Sequence, residues 1–209
     1  MTKNLLAITG IAATALLGFG PAAFAEPPAA STAKVENFTL VDQTGASHEL
    51  YKSADAPAIV IATQVNGDPL SRESIKTLES LKAMFGQAEY LLLNSSQADT
   101  RSTIAAEAAA LNVTLPILDD DKQTVAESLG VTQTGEAFVI DPIGWKIVYH
   151  GPVNAAAAAD PTTQFVLFNA MVYILSHRPL DQTDVAVKGT PLLLPAHDKA
   201  TATNRSAAE

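Results

Sequence analysis

None of the 209 residues is a cysteine. Thiolate nucleophiles, disulfides and thiolate metal ligands are therefore outside the chemistry of this chain. Basic residues are also scarce: 13 Lys and Arg stand against 22 Asp and Glu, a formal charge of −9. Such a surface repels phosphate backbones and anionic lipid, so neither nucleic acid nor a membrane surface is an expected partner. The chain has no glycine-rich phosphate loop and no Gly-x-Ser-x-Gly elbow to support a hydrolase triad. Its four histidines, His48, His150, His177 and His197, are scattered, with none four residues from another. With that inventory no metal ion or other cofactor is expected. Asp119-Asp120-Asp121 lacks the ligand spacing of a calcium loop. It reads as a solvated acidic turn capping a helix that starts at Lys122.

Long apolar runs are missing too, except at the N-terminus. Residues 5–20 form an apolar stretch after Lys3, and Ala23-Phe24-Ala25 precedes Glu26 as a small-x-small cleavage site. The stretch contains Gly10, Gly18 and Gly20 and falls short of the ~20 residues a span needs. Residues 1–25 are thus expected to be a signal peptide cut after Ala25, giving a periplasmic or secreted protein with no stable membrane insertion after cleavage. Loss of Lys3 would leave 12 basic and 22 acidic residues, a charge of −10. Residues 26–36 read as a flexible lead and 37–180 as one domain. Residues 181–209 read as an extension whose distal part is disordered.

Within 37–180 the patterning alternates between strand and helix. Phe38-Thr39-Leu40-Val41 and Ser47-His48-Glu49-Leu50-Tyr51 flank a turn at Asp42-Gln43-Thr44-Gly45, which predicts a β-hairpin. The apolar runs at 58–62 and 90–93 predict strands buried on both faces. Leu70, Ile75, Leu78, Leu81 and Phe85 fall at helical spacing, with Gly86 placed to end the helix. Further helices are expected over 100–111, 125–129 (ended by Gly130) and 162–176. A second hairpin is expected from 137–140 and 146–149. This order implies an α/β layer structure with a parallel core and a mixed sheet.

Several short motifs resemble a known family. Phe38-Thr39-Leu40-Val41-Asp42-Gln43-Thr44-Gly45 is similar to the opening of peroxiredoxin-like and TlpA-like redoxins. Leu115-Pro116-Ile117-Leu118-Asp119-Asp120 resembles their "P-x-L-x-D" segment. Residues 129–141 resemble the "G-V-x-x-T-P-x-x-F-x-I-D" stretch, and Lys146-Ile147-Val148-Tyr149-His150-Gly151 resembles the strand that follows. The resemblance runs in order over about residues 36–180. It implies a thioredoxin-like mixed sheet flanked by helices, with an N-terminal β-hairpin. The nearest subgroup consists of exported bacterial redoxins, some of them joined to respiratory proteins.

The departures decide what can be expected of function. The resemblance places the redox cysteines where this chain has Asp68-Pro69-Leu70-Ser71, and the substrate-shaping cis-proline where it has Gly135. Thiol–disulfide and peroxidase chemistry are excluded by composition. Two readings remain for Asp68, Pro69, Ser71 and Arg72 with Thr134, Gly135 and Glu136 across the groove. One is a non-catalytic module that binds a periplasmic protein partner, accessory to an electron-transport enzyme through the subgroup resemblance. The other is a non-thiol enzyme, or a small-ligand or metal-binding protein, built on Asp68 and Ser71. Asp68-Pro69 is also an ordinary helix start, since Asp is a favoured N-cap and Pro a favoured first residue. Trp145 and Tyr149 read as packing under the last helix, with a partner-facing aromatic patch as the alternative. The segment Pro191-Leu192-Leu193-Leu194-Pro195 reads either as a partner contact or as a strand folded back on the domain.

Overall fold

A computed structural model describes residues 34–163 and 165–194. The expected signal peptide and most of the lead fall outside the described residues, as do His197 and the distal tail.

The hairpin forms from β1 (Thr39–Asp42) and β2 (Ser47–Glu49). Its turn is built by Asp42, whose Oδ1 accepts from the backbone of Thr44 at 2.8 Å and of Ala46 at 3.0 Å. Gly45 supplies the left-handed residue the turn requires, at φ +93°. The buried strands are β3 (Ile59–Gln64) and β4 (Glu89–Asn94), joined by α1 (Pro69–Met84). Helix α2 (Arg101–Leu111) leads to β5 (Ile117–Asp119), followed by α3 (Thr124–Leu129). Strands β6 (Glu136–Asp141) and β7 (Lys146–Pro152) make the second hairpin, and α4 (Leu167–Leu175) closes the domain.

The seven strands lie in the order β2-β1-β5-β4-β3-β6-β7. Strands β3, β4 and β5 run parallel, and the remaining pairings are antiparallel. This is the mixed sheet with a parallel centre that the sequence pattern predicts. Alternation along β3 splits the core in two. Val60 and Ala62 pack with Ile75, Leu78 and Leu81 of α1, Ile104 of α2 and Met171 of α4. Ile59 and Ile61 face the other way, with Val125 and Leu129 of α3, Leu50, Leu192 and Leu194.

Four local features differ from the sequence reading. Phe85, not Gly86, closes α1, its N–H donating to Leu81 O at 2.7 Å. Helix α3 begins at Thr124, and its cap is not a solvated turn. Asp120 is only 1 % exposed and accepts from Ala126 N at 2.9 Å, Val125 N at 3.3 Å and Ser95 Oγ at 2.9 Å. Trp145 stacks on Tyr51 at 4.0 Å, on the face away from α4. Tyr149 does lie under α4, fully buried beside Phe165. Finally, α4 spans only Leu167–Leu175, because 155–163 forms a short 3-10 turn and loops instead.

Residues 181–194 fold back across the domain as an extended strap. They form isolated bridges from Asp184 to His150, Val187 to Ala158 and Pro191 to Gln133. Of the two readings of the apolar segment, the structure carries the second. Leu192 and Leu194 are buried, while Leu193 is 74 % exposed. Among the described residues no helix is long and apolar enough to cross a membrane.

Candidate functional site

Strand β3 delivers the chain to the N-terminus of α1 through residues 65–68. Asp68 is the N-cap, in extended backbone conformation, and Pro69 occupies the first turn. Asp68 Oδ2 accepts from Ser71 N at 2.7 Å and from Ser71 Oγ at 2.9 Å. The Ser71 hydroxyl also accepts from Val65 N at 3.0 Å, and the residue is completely buried. Both positions equated with redox cysteines are thus occupied by groups that hold the helix start in place. Arg72 points outward, its Nε donating to Glu107 Oε1 at 3.2 Å. Glu107 also accepts from Gly67 N, at 2.8 and 3.0 Å, and so ties the loop before α1 to α2.

The opposite wall is the segment entering β6. Gly135 has φ +79°, and a Cβ there would stand 2.8 Å from Leu70 Cδ2 and 2.9 Å from Ala157 Cβ. Its glycine therefore serves both a left-handed backbone and a close approach to α1. Thr134 is fully buried. Glu136 is 1 % exposed and turns inward, accepting from Thr132 N at 3.0 Å. Its carboxylate does not face the groove shared by Asp68 and Thr134. It lies 3.8 Å from His150 Nε2, while His150 Nδ1 stands 3.0 Å from Asp184 Oδ1. His150 also stacks on Phe138 at 4.6 Å. Burial alone would lower the imidazole pKa, but the Glu136 and Asp184 carboxylates outweigh it and hold it above 6.5.

The groove between these walls is filled by the strap. Thr134 N donates to Thr190 O at 2.9 Å, Thr190 N to Thr134 Oγ1 at 3.0 Å, and Leu192 N to Thr132 O at 2.9 Å. Thr190 Oγ1 donates to Asp68 Oδ1 at 2.8 Å. Gln133 accepts from Gly189 N at 2.9 Å and donates to Val187 O at 2.9 Å. Gln123 Nε2 donates to Leu193 O at 2.9 Å. Burial pushes the Asp68 carboxyl up, but hydrogen bonds from Thr190, Ser71 and Thr134 prevail and keep it below its ordinary value. A general acid would need the opposite shift.

Residues 32–150, more than half of the 209, match the model of the AhpC/TSA family. The chain belongs to the AhpC/TSA family. Solved structures agree with this redoxin assignment at the level of fold. A hypothetical protein from Sinorhizobium meliloti is 26 % identical, with a TM-score of 0.58 over 77 % of this chain and 89 % of that one. An uncharacterized conserved protein from Geobacillus kaustophilus is 20 % identical, with a TM-score of 0.64 over 78 % and 92 %. Peroxidoxin BcpB from Mycobacterium tuberculosis is 19 % identical, with a TM-score of 0.57 over 71 % and 98 %. No curated protein matches the sequence.

Of the seven site residues read from sequence, the structure brings Asp68, Ser71, Thr134 and Gly135 together. Pro69 lies at the start of the same helix, Arg72 faces outward and Glu136 faces inward. Sequence reasoning missed Gly189, Thr190, Gln123 and the Glu136–His150–Asp184 cluster. The apolar run Leu192-Leu193-Leu194, out of place in a tail, was the available signal that the segment beside the first two meets something. Among the described residues, no three His, Asp or Glu side chains are grouped to hold a metal ion. The arrangement offers neither a nucleophile nor an open acid–base pair at the helix start. It offers a groove lined with backbone and hydroxyl hydrogen-bonding groups.

Proposed function

We propose that this AhpC/TSA-family chain is a redox-inactive binding or assembly module, exported to the periplasm and accessory to an electron-transport enzyme there. One observation carries the reading. The scaffold is intact, but its thiol positions hold Asp68 and Ser71, whose polar atoms are bound within the fold. Export is supported by the leader pattern before Glu26, and the electron-transport setting by the subgroup resemblance. The alternative, a non-thiol enzyme or ligand-binding protein built on Asp68 and Ser71, must work with a carboxyl held low and a buried hydroxyl. Affinity purification of the tagged chain from native periplasm tests the proposal. One stoichiometric partner, with a mature N-terminus at Glu26, is expected. A solitary protein with no co-eluting partner would overturn the assembly reading and return weight to a small-molecule role.

A further inference from the structure

We infer that the strap is a displaceable internal ligand, and that the groove it fills receives an extended, uncharged, alternately apolar segment of a partner protein. This inference rests on the binding-module reading above and names the partner chemistry of the same site.

The strap is held in the manner of a strand-added peptide. Thr132 and Thr134 offer one carbonyl and one N–H outward, and the strap returns Leu192 N and Thr190 O to them in antiparallel fashion. Pro191 sits between these two bonds, opposite Gln133, where its missing N–H costs no pairing. Side chains alternate as a bound strand requires: Leu192 and Leu194 go into the core and Leu193 stays out. The recognised pattern is therefore Gly-Thr-Pro-apolar-x-apolar, matching Gly189 to Leu194. The glycine is stereochemically fixed, because a Cβ at Gly189 would overlap the Thr134 carbonyl oxygen.

Two observations mark the strap as exchangeable. Residues 181–194 belong to no strand or helix, and their backbone pairs with the domain through isolated bridges rather than a continuous ladder, with only Val185, Leu192 and Leu194 buried, the kind of segment that opens below the global unfolding free energy. The strap also underfills its groove. A cavity of about 350 Å³ remains between Thr190–Leu193 on one side and Ser95–Ala98 with Gln123 on the other. A segment with a larger side chain at that wall would gain contacts the strap does not make.

Gly189 gives a test that leaves the groove walls untouched. In the full chain, Gly189→Ala expels the strap through the overlap with Thr134. A labelled, end-blocked peptide Gly-Thr-Pro-Leu-Leu-Leu, followed by fluorescence anisotropy, is then expected to bind this variant at least about tenfold more tightly than wild type. The same peptide with alanine in place of its glycine is expected not to bind. Equal binding of both peptides, or no gain over wild type, overturns the inference. Should the variant fail to fold, native-state hydrogen exchange of the wild type decides. The Thr134 and Leu192 amides should exchange together, at least about tenfold faster than the amides of β3 and β4. Exchange only with global unfolding would show the strap to be a fixed part of the fold. A partner recovered from periplasm alongside a negative peptide result would keep the binding-module reading and place its contact elsewhere.

Discussion

The family resemblance equates Ser71 with a thiol position, yet its surroundings are unsuited to a thiol. The side chain is fully buried and lies 2.9 Å from the Asp68 carboxylate. A neighbouring negative charge raises a thiol pKa, the reverse of what activates a catalytic cysteine. Ser71→Cys should therefore restore the atom without the reactivity. Alkylation by iodoacetamide, followed by mass spectrometry, should be at least about 100-fold slower in the folded variant than in denatured protein, given the burial and the charge. A rate near that of the denatured chain would mean that the helix start is open. Asp68 is tested separately. Asp68→Ala removes a cap worth about 1–2 kcal/mol and leaves the Thr190 hydroxyl without its acceptor. Urea unfolding should show a loss of that order, with Asp68→Asn closer to wild type. An unchanged midpoint for the alanine variant would refute the capping role.

At the level of elements, β3, α1, β4, α2 and the two hairpins could be read from the chain, because burial on one or both faces writes itself into local periodicity. What could not be read depends on contacts between segments distant in sequence. Asp120 looks like one of three solvated acids, yet the approach of Ser95 and the start of α3 bury it as a cap. The inward turn of Glu136 depends on His150 across the β6–β7 pair and on Thr132. The strap's path depends on Gln123, Gln133 and Thr134, some 55 to 70 residues away in sequence. Gly135 shows both sides of this limit. Its departure from the family pattern is visible in sequence, but its purpose needs Leu70 and Ala157. Gly135→Ala combines a left-handed backbone with overlap against two packed side chains, so a loss of about 2 kcal/mol or more is expected. Thermal unfolding measures it, and a melting point within error of wild type would show that α1 and the 155–157 turn yield freely.

On the scale of the whole molecule, two of the strap's contacts tie it to ionisable groups of the domain. One is the groove at Thr134 and Asp68. The other is His150, which stands between the interior Glu136 and Asp184 on the strap. Burial opposes the charge, but the two carboxylates prevail and raise the pKa of this imidazole above its ordinary value. The sign of the linkage follows from that shift. Because the folded-state pKa is raised, the folded chain keeps the proton after the unfolded chain has lost it. The stabilisation is fully present below about 6.5 and is lost as pH rises through the folded-state value. His150→Gln keeps a neutral donor for Asp184 but removes the titration. Urea denaturation of both proteins at about pH 6 and about pH 9 should show wild type more stable than the variant at the lower pH, with the gap narrowing at the higher one. Subtracting the variant cancels the contributions of Asp42 and Asp68, which do not touch His150 and are present in both. Because Asp184 is on the strap, protection of the Val185 amide, which donates to His150 O at 2.9 Å, should fall over the same range in wild type only, once exchange is corrected for its intrinsic base-catalysed rate. A stability gap and a Val185 protection factor that do not change with pH would mean that the strap is held without help from the imidazolium.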